Sequence, residues 1–512
     1  MAERSSTTRA AFDGLLADHR VVPVVRDLFG DGETPVGVYR KVAAGRPGTF
    51  LLESAGQGGI WSRWSFVGAS SFGVLTTDRG EALWLDHGLS AERALGGATG
   101  RPLEVLSALH DRWATPRIEG LPPLTGGLVG FVGWEAVREL EHLPDAPPAE
   151  FDVPSQALSF VSELVALDHR TGAVLLIATV LADGDVDGDV DGDALWADAQ
   201  SRLDRLQAEL AAPSETHLSD VDLTVEPTPT RRTTDDEYAA AIERSKQHIR
   251  DGDVFQVVVS QRFDHELTAE PLDVYRVLRT LNPSPYMYLV SLADAAGEPY
   301  WIVGSSPEAL VKVEGRRAYT HPIAGSAPRG DTPEADAAFA DRLEHDEKER
   351  AEHLMLVDLA RNDLLKVCTP GTVEVTEFMQ VERFSHIMHL VSSVEGDLAP
   401  GKDAIDAFRA TFPAGTLSGA PKPRALQIID DLEPAQRGVY GGVVGYFDFA
   451  GSADVAIAIR TVLIQGGVAR VQAGAGLVAD SDPASENQEA RNKAAAPLRA
   501  VAVANAMTRL RS

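Results

Sequence analysis

The sequence is poor in cysteine and in basic residues. Among its 512 residues there is one cysteine, Cys368, which excludes an intrachain disulfide and is typical of a reducing compartment. It has 47 Lys and Arg residues against 76 Asp and Glu residues, a net charge of −29. Such an acidic chain repels phosphate backbones and anionic lipid surfaces. We therefore expect no nucleic acid and no membrane as partners.

Long apolar runs are also absent. The longest, Ala173 to Ala182, is interrupted by Thr179 and is much shorter than the roughly 20 residues that a membrane-spanning helix needs. Charged residues are scattered through the N-terminus, MAERSSTTRAAFDGLLADHR, which lacks the apolar block of a signal peptide. These features predict a cytoplasmic protein.

The remaining composition is that of a globular protein, with 44% hydrophobic and 24% charged residues. A single core rarely serves a chain of this length, so we expect two lobes. The stretch rich in Pro, Ser and Thr predicts a linker over 216–233, between an N-terminal lobe (1–215) and a C-terminal lobe (234–512). Strand and helix patterns are intermixed without a βαβ rhythm, which predicts an α+β fold of largely antiparallel β-sheets sandwiched by helices.

An Asp-Gly repeat, DGDVDGDVDGDA, occupies residues 183–194. Its spacing imitates the opening of a calcium-binding loop. However, it follows a strand rather than a helix, and position twelve of the loop carries Asp198 instead of the usual Glu. We interpret the repeat as a solvated surface insertion before a helix predicted over 194–211.

Two pairs of glutamates are spaced three residues apart on predicted helices. One pair is Glu349 and Glu352; the other is Glu486 and Glu489, with Lys493 four residues further on. Either pair could be an ordinary surface charge cluster. Together they could instead hold Mg²⁺, which usually takes one or two protein carboxylates.

The segment ADVAIAIRTV, residues 453–462, alternates bulky and small side chains. This pattern predicts one strand whose small face ends in Arg460. A partner strand, VQAGAGLV at 471–478, follows a Gly466-Gly467 turn and allows close approach of the backbone at Gly474 and Gly476. Arg460 would then either clamp a substrate carboxylate or form a cross-strand salt bridge.

The segment GTLSGAPKPRAL, residues 415–426, predicts a turn followed by a helix with Pro421 at its first position. Exposed N–H groups beside Thr416 would suit an anion, although a well-capped helix explains the same pattern. His389 lies among apolar residues, a setting in which a core histidine is the more common case.

The motifs as a set resemble the chorismate-utilising enzymes and, within that family, the large subunits of anthranilate synthases. They follow one another in family order: LLES (51–54), FQVVVSQR (255–262), NPSPYM (282–287), SSPE (305–308), PIAGS (322–326), EHLMLVDLARNDL (352–364), MHLV (388–391), GTLSGAPK (415–422), YGGVVGYF (440–447), AIRT (458–461), QAGAG (472–476) and the final E-x-x-E-x-R-N-K (486–493). The match is nearly continuous in the C-terminal lobe and thinner in the N-terminal lobe.

The resemblance implies a two-lobed chorismate-binding enzyme fold with the active site in the C-terminal lobe. It makes Glu352 and Glu489 ligands of Mg²⁺, with Glu349 and Glu486 nearby. It also implies a set of chorismate-binding residues: Gly325, Ser326, Tyr440, Arg460, Gly474, Ala475, Gly476 and Lys493. Ser326 stands where the family more often has Thr, and Ala327 where it often has Arg.

The implied reaction adds ammonia at ring C2 of chorismate with loss of the C4 hydroxyl, and then releases pyruvate to leave anthranilate, the first committed step of tryptophan biosynthesis. Glu308 matches the family acid; His389 and Thr416 match residues of the second half-reaction. Isochorismate and salicylate synthases place a Lys where Gln256 stands, and aminodeoxychorismate synthases often place one at Ala324.

The resemblance further implies feedback inhibition by tryptophan, bound by Ser54, Pro285, Tyr286 and Met287, so that the N-terminal lobe contributes regulatory elements. Cys368 lacks the glycine-flanked setting of a nucleophile. Ammonia is therefore expected from solution or from a separate glutamine amidotransferase subunit in a hetero-oligomer. The alternatives are an aminodeoxychorismate, aminodeoxyisochorismate or isochorismate/salicylate synthase, or a non-catalytic regulator that binds an aromatic acid.

Overall fold

The computed structural model describes residues 6–54, 63–182, 191–213, 218–383 and 387–510, without the side chains of Ser326, Lys348 and Ile387. Its helices are α1 (Arg9–Leu16), α2 (Pro35–Val42), α3 (Ala91–Leu95), α4 (Pro102–Trp113), α5 (Gly192–Ala211), α6 (Asp235–Arg250), α7 (Pro271–Leu281), α8 (Pro333–His345), α9 (Glu347–Leu365), α10 (Ala404–Thr411), α11 (Gly415–Ser418), α12 (Lys422–Leu432) and α13 (Pro483–Ala506), with a 3₁₀ helix at Trp134–Glu139.

The strands of the described ranges are β1 (Val21–Phe29), β2 (Thr49–Glu53), β3 (Trp64–Asp78), β4 (Glu81–Asp86), β5 (Gly127–Val132), β6 (Gln156–Asp168), β7 (Ala173–Leu181), β8 (Ser219–Asp220), β9 (Thr230–Arg231), β10 (Gln256–Glu266), β11 (Tyr286–Ala293), β12 (Pro299–Ser306), β13 (Ala309–Glu314), β14 (Arg317–Thr320), β15 (Ile323–Pro328), β16 (Glu374–Arg383), β17 (Ile387–Asp397), β18 (Gly419–Ala420), β19 (Val443–Asp448), β20 (Ala453–Ile457), β21 (Thr461–Gln465), β22 (Val468–Leu477) and β23 (Thr508–Arg509).

Two long branches of strands meet at β6, which also pairs with β7 and through it with β1. One branch runs β6-β3-β2-β11-β12-β21-β22-β10, and the other runs β6-β5-β19-β20-β13-β14-β17. Every ladder between described strands is antiparallel, which confirms the predicted α+β class. The ladders β2–β11 and β5–β19 join strands from both sides of the predicted linker. The lobe boundaries themselves stay a prediction.

Local sequence signals explain several element ends. A hairpin turn follows Asp168, where β6 ends, and β7 begins at Ala173. Gly466 and Gly467 both have positive φ, 58° and 74°, as the tight turn before β22 requires. The prediction for Pro421 was off by one position. It is the residue before α12, whose first turn instead contains Pro423.

None of the helices in the described ranges combines the length and the apolar character needed to cross a bilayer. Of the Asp-Gly repeat, residues 183–190 lie outside the described part of the chain, including Asp187 and Asp189. Asp191 accepts hydrogen bonds from the first backbone N–H groups of α5. This is the role of a helix N-cap.

A buried ion pair joins the helix α12 region to the sheet. Arg437 and Glu433 have side chains that are 1% and 3% exposed and lie 2.7 Å apart. The guanidinium also donates to the carbonyl oxygens of Leu417 and Val258, while Glu433 accepts from the backbone and hydroxyl of Ser260. Because every charged atom has a partner, the pair can be buried without an unpaired charge.

We expect Glu433→Gln to lower the free energy of unfolding by about 3–5 kcal/mol, because it leaves the Arg437 charge buried without a counter-charge. Urea denaturation would measure the change. Glu243→Gln is the matched control, since its partner Lys246 lies 3.1 Å away in an exposed pair and exposed pairs contribute about 0–1 kcal/mol. Equal losses in the two variants would contradict the importance of the buried pair.

Candidate active site

A cavity of about 550 Å³ opens between β10, β22, β15 and the helices α9 and α13. It brings together nearly all the residues that the sequence singled out for chemistry. Its lining includes Gln256, Glu308, Gly325, Glu349, Glu352, His389, Thr416, Tyr440, Arg460, Gly474, Gly476, Glu486, Glu489 and Lys493. These positions span more than 230 residues of sequence, so the tertiary fold alone makes them neighbours.

One predicted binding residue, Ala475, does not contribute its side chain to this lining. Ala475 is fully buried and packs into the hydrophobic core, because alternate residues of β22 point to opposite faces. Only its backbone can face a ligand. The side chain of Ser326 lies outside the description; its backbone pairs with His389 across the β15–β17 ladder.

Glu308 is a buried carboxyl group at the wall of the cavity. Burial raises its pKa to about 8, against a smaller opposing effect of the hydrogen bond that Thr416 donates. The Thr416 hydroxyl lies 3.2 Å from Oε1 of Glu308. The backbone is held as well, since the Ser306 hydroxyl donates to the Ile457 carbonyl and the Ile457 N–H donates to the Glu308 carbonyl. Glu308 is thus a fixed acid that keeps its proton at neutral pH.

His389 has its tautomer set by a backbone contact. Its Nδ1 lies 2.8 Å from the carbonyl oxygen of Gly325, and a carbonyl can only accept, so Nδ1 carries the proton and Nε2 keeps its lone pair. Burial lowers the pKa of His389, and the charges of Arg460 and Lys493 lower it further. Although a core position is the more common case for a histidine among apolar residues, His389 is half-buried and lines the cavity.

Gly325 lies at a bulge where the register of β15 against β17 shifts. Its φ is +68°, a conformation that glycine adopts without a steric penalty. A Cβ at this position would lie 3.0 Å from Oε2 of Glu349. The missing side chain therefore keeps the carbonyl of residue 325 aimed at His389 and leaves room for the glutamate.

Arg460 is not part of a continuous strand. The predicted strand over 453–462 is wrong, because β20 ends at Ile457 and β21 begins at Thr461. Arg460 has a φ of +53°, which is rare and costly for a residue with a side chain. Within the described residues no carboxylate forms an ion pair with it, so the predicted alternative of a cross-strand salt bridge is also wrong. Burial lowers its pKa, against smaller opposing effects of Tyr440 and of the Glu489 charge.

Gln256 and Glu352 are in contact inside the cavity. The side-chain nitrogen of Gln256 donates to Oε1 of Glu352 over 3.3 Å. In the described part of the chain the amide oxygen of Gln256 is buried without a hydrogen-bond partner. A buried acceptor of this kind is costly unless a ligand or water donates to it.

The four glutamates of α9 and α13 all line the cavity. Within the described residues they do not bring three ligand atoms within 4.8 Å of one another. Glu489 lies 2.6 Å from Nζ of Lys493, which also donates to the Gly474 carbonyl. The donor set nevertheless fits Mg²⁺, which needs only one or two protein carboxylates and fills its other positions with water and ligand.

A second cavity, of about 950 Å³, contains all four residues predicted to bind tryptophan: Ser54, Pro285, Tyr286 and Met287. The Ser54 hydroxyl is buried, without a hydrogen-bond partner among the described residues. Further lining residues supply aromatic surface and charges of both signs; they include Arg63, Trp64, Phe66, Arg117, Lys312 and Asp454. Such a lining suits an aromatic zwitterion.

Cys368 is buried, and burial raises the pKa of its thiol to about 11. A thiol with such a pKa is almost entirely protonated at neutral pH and is a poor nucleophile. The structure therefore agrees with the inference that this cysteine does not hydrolyse glutamine.

Sequence reasoning missed Arg437, a buried residue that contacts residues lining the cavity. Its guanidinium lies over the ring of Trp134, 4.1 Å from the centroid, and 5.5 Å from that of Tyr440. Its bond to the Leu417 carbonyl fixes the residue next to Thr416. The only local signal is the i,i+4 spacing from Glu433, which is equally typical of an exposed helical pair.

Comparisons with known proteins bear on both the fold and the site. The family model of the chorismate binding enzymes matches residues 64–499. The model of the chain resembles the crystal structure of anthranilate synthase component I from Streptococcus pneumoniae TIGR4, with a TM-score of 0.73 and 35% identity over 86% of this chain and 93% of that one. It shares its fold with the menaquinone-specific isochorismate synthase of Escherichia coli, with a TM-score of 0.68 and 19% identity over 96% and 99% of the two chains.

Two curated relatives match nearly the whole length. Anthranilate synthase component 1 of Arthrobacter globiformis is 54% identical over 97% of this chain and 93% of its own. That of Mycolicibacterium smegmatis is 51% identical over 98% and 94%. With the family model spanning most of the sequence and relatives above 50% identity end to end, the chain belongs to the chorismate-binding enzymes, among the component 1 proteins of anthranilate synthase.

Proposed function

We propose that the chain is the chorismate-binding component of an anthranilate synthase, which converts chorismate and ammonia to anthranilate and pyruvate in tryptophan biosynthesis. The observation that carries the proposal is the single cavity in which Glu308, Arg460 and the glutamates of α9 and α13 meet. It offers a buried acid, a guanidinium that forms no ion pair within the described residues, and cation-binding oxygens, which is the chemistry that a dianion with a hydroxyl leaving group needs.

Substrate binding falls to the cationic side of the cavity. Chorismate carries two carboxylates in a protein whose net charge is −29, so local positive groups must reverse the field. Arg460 can form two parallel hydrogen bonds to the enolpyruvyl carboxylate, with Tyr440 and the backbone at Gly474 to Gly476 beside it. A bound carboxylate would also offset the cost of burying the unpaired guanidinium.

Glu308 supplies the proton for the departing C4 hydroxyl. With a pKa of about 8 it is protonated at neutral pH and still acidic enough to transfer its proton, which is the balance that favours general acid catalysis. The hydrogen bond from Thr416 orients the carboxyl group. Burial against the cavity wall thus provides both the protonation state and the direction of transfer.

His389 serves the second half-reaction, in which the C2 proton is removed as pyruvate departs. Its Nδ1–H is committed to the Gly325 carbonyl, so Nε2 is the atom that accepts a proton. Because burial lowers its pKa, the ring is neutral and able to act as a base at pH 7. Thr416 also contacts Glu308, the acid of the first half-reaction, and so links the two half-reactions.

Glu352 and Glu489 would hold Mg²⁺, with Glu349 and Glu486 around them and Lys493 as the present counter-charge of Glu489. When bound there, Mg²⁺ supplies positive charge against the ring carboxylate of chorismate.

Ammonia rather than water is the nucleophile. Gln256 is a neutral amide and cannot deprotonate water, whereas ammonia is a nucleophile without prior deprotonation. The amide oxygen of Gln256, which has no partner among the described residues, can accept a hydrogen bond from ammonia. Ala324 has no amino group to attack the ring. A regulator that only binds aromatic acids would not need the buried acid Glu308, so this alternative is weaker.

Glutamine-derived ammonia requires a second protein, because the thiol of Cys368 is buried and protonated. We infer a glutamine amidotransferase subunit as partner in a hetero-oligomer. The direct test is an anthranilate fluorescence assay of the purified chain with chorismate and Mg²⁺. Ammonium salts should support turnover and glutamine should not, until the partner is added. Salicylate, isochorismate or an aminodeoxy product would refute the assignment.

Tryptophan would bind in the cavity of about 950 Å³ that contains Ser54. A short series of contacts connects this cavity to the acid Glu308. Tyr286 pairs with Ser306 in the β11–β12 ladder, and the Ser306 hydroxyl bonds to the backbone of Glu308. A shift of β11 on inhibitor binding would therefore be transmitted to Glu308 through Tyr286 and Ser306, which gives feedback inhibition a structural basis.

We expect Glu308→Gln to lower kcat by about 10²–10⁴-fold, because the amide cannot donate the proton to the leaving hydroxyl. Wild-type kcat should fall as pH rises through about 8, the pKa of Glu308. Steady-state kinetics across pH would measure both. A variant that retains kcat would remove Glu308 from the acid role.

The same variant should be more stable than wild type at alkaline pH. The folded protein keeps the Glu308 proton up to about pH 8, while the unfolded chain loses it near pH 4.3. Wild-type stability therefore falls as pH rises between these values, and a non-titrating amide escapes that loss. Thermal melting of the two proteins at pH 6 and pH 9 would test this, with Glu243→Gln as the surface control.

We expect Glu352→Gln or Glu489→Gln to abolish turnover at ordinary Mg²⁺ concentrations while circular dichroism shows an intact fold, since each variant removes a charged oxygen ligand. A Mg²⁺ titration of activity would show any residual function shifted at least about tenfold. Glu347→Gln, in the exposed first turn of α9, is the control. Wild-type Mg²⁺ dependence in both site variants would refute the metal assignment.

We expect Ser54→Phe to relieve tryptophan inhibition by at least about tenfold with catalysis largely retained, because the larger side chain fills the second cavity and leaves the first unchanged. Inhibition curves at fixed chorismate would measure the shift. Ser54→Ala, which removes only the hydroxyl, should have a smaller effect. Equal sensitivity of Ser54→Phe and wild type would place the inhibitor elsewhere.

A further inference from the structure

His110, Asp111 and Asp403 form a cluster remote from both cavities described above, since neither lining includes them. His110 and Asp111 lie near the end of α4, and Asp403 precedes α10. Each can offer one ligand atom, and these atoms all lie within 4.8 Å of one another. The cluster therefore joins two segments almost 300 residues apart in sequence.

The ring of His110 is 3% exposed, and its contacts define its tautomer. Its Nε2 lies 3.2 Å from the backbone carbonyl oxygen of Asp448, which can only accept, so Nε2 carries the proton of a neutral ring. The lone pair of Nδ1 then faces the two carboxylates. Within the described residues Nδ1 has no hydrogen-bond partner.

The nearest carboxylate oxygen to Nδ1 is Oδ2 of Asp403, at 3.7 Å, too long for a hydrogen bond. The other oxygen of Asp403 accepts from the Asp406 N–H and caps α10. This division leaves Oδ2 directed at His110. A buried lone pair that faces anionic oxygens is unfavourable unless a proton or a metal ion lies between them.

Apart from His110, whose Nδ1 would pair with Asp403 if the ring were protonated, the two carboxylates have no cationic partner in the described part of the chain. Among the described residues no Lys or Arg forms an ion pair with Asp111 or Asp403; the neighbouring Lys402 pairs with Asp406 instead. Burial raises the pKa of Asp111, and the charge of Asp403 raises it further. Asp111 is exposed to solvent, so an ion can enter from that side.

We propose that His110, Asp111 and Asp403 bind a divalent first-row transition-metal ion of the Zn²⁺ class. One imidazole and two carboxylates suit such an ion, whereas Mg²⁺ and Ca²⁺ prefer oxygen alone. Ligands at roughly 2.0–2.2 Å in a tetrahedral site lie about 3.3 Å apart, so the 3.7 Å between Nδ1 and Oδ2 needs only a small closure. The Nε2–H bond to the Asp448 carbonyl orients the ring, as is usual for histidine ligands.

The site has a structural role, because it touches neither substrate nor the reacting atoms. A bound ion links the end of α4 to the beginning of α10. Since an ion that binds only the folded chain stabilises it by mass action, occupancy should appear as a rise in the melting temperature. This readout does not depend on catalysis.

The test uses the full-length protein, freed of metals by a chelator and then supplied with excess Mg²⁺ to occupy oxygen-only sites. Calorimetric titration with Zn²⁺ should show one ion per chain and a higher melting temperature. Asp111→Asn and Asp403→Asn should each weaken binding at least about tenfold and lose the thermal shift. Asparagine remains a good N-cap, so Asp403→Asn preserves α10.

Two controls separate this site from other anionic positions. Glu104→Gln removes an exposed charge from the same helix, 59% exposed in the wild type, and should bind Zn²⁺ as the wild type does. Glu489→Gln should also retain the ion, which separates failure here from failure of the proposed active site. The proposal is overturned if no stoichiometric Zn²⁺ binds, if the Asp111 and Asp403 variants match wild type, or if NMR shows His110 as an imidazolium paired with Asp403 when Zn²⁺ is present.

Discussion

The buried pair of Arg437 and Glu433 is the constraint on which the site depends. Its guanidinium bonds to the carbonyls of Val258 and Leu417, which belong to β10 and α11, and lies against the ring of Tyr440. One charged group therefore positions three walls of the candidate active-site cavity, namely the strand β10, the short helix α11 and the ring of Tyr440. Since a buried pair contributes little net stability compared with apolar packing, its value lies in fixing these three walls relative to one another.

Burial also shifts the pKa values of the two acid-base groups of the site in opposite directions. It disfavours charge, so it raises the pKa of the Glu308 carboxyl and lowers that of the His389 ring. The same low-polarity cavity thereby holds a protonated acid and a neutral base at one pH. Two proton transfers of opposite sense can then occur in one place without a change in the protein.

The sequence allowed accurate prediction wherever a pattern is local. The glycine turn before β22 and the helices that bear Glu352 and Glu489 are as expected, because turn residues and periodicity determine them. Arg460 was placed on a continuous strand, since alternation alone cannot show that the backbone adopts positive φ there. The Arg437 pair was missed for a related reason, because burial depends on the packed tertiary structure.

The backbone at Arg460 explains why a regular strand would not serve. If the strand continued through residue 460, the alternation of β20 would decide which face of the sheet the Arg460 side chain points to. The break after Ile457, with φ of +53° at Arg460, instead turns the guanidinium to a cavity that also contains His389 and Lys493. Strain of this kind persists only where neighbouring contacts impose it. Here β20 and β21 continue into separate ladders, with β13 and β12, so the sheet itself holds the turn that directs the arginine into the cavity.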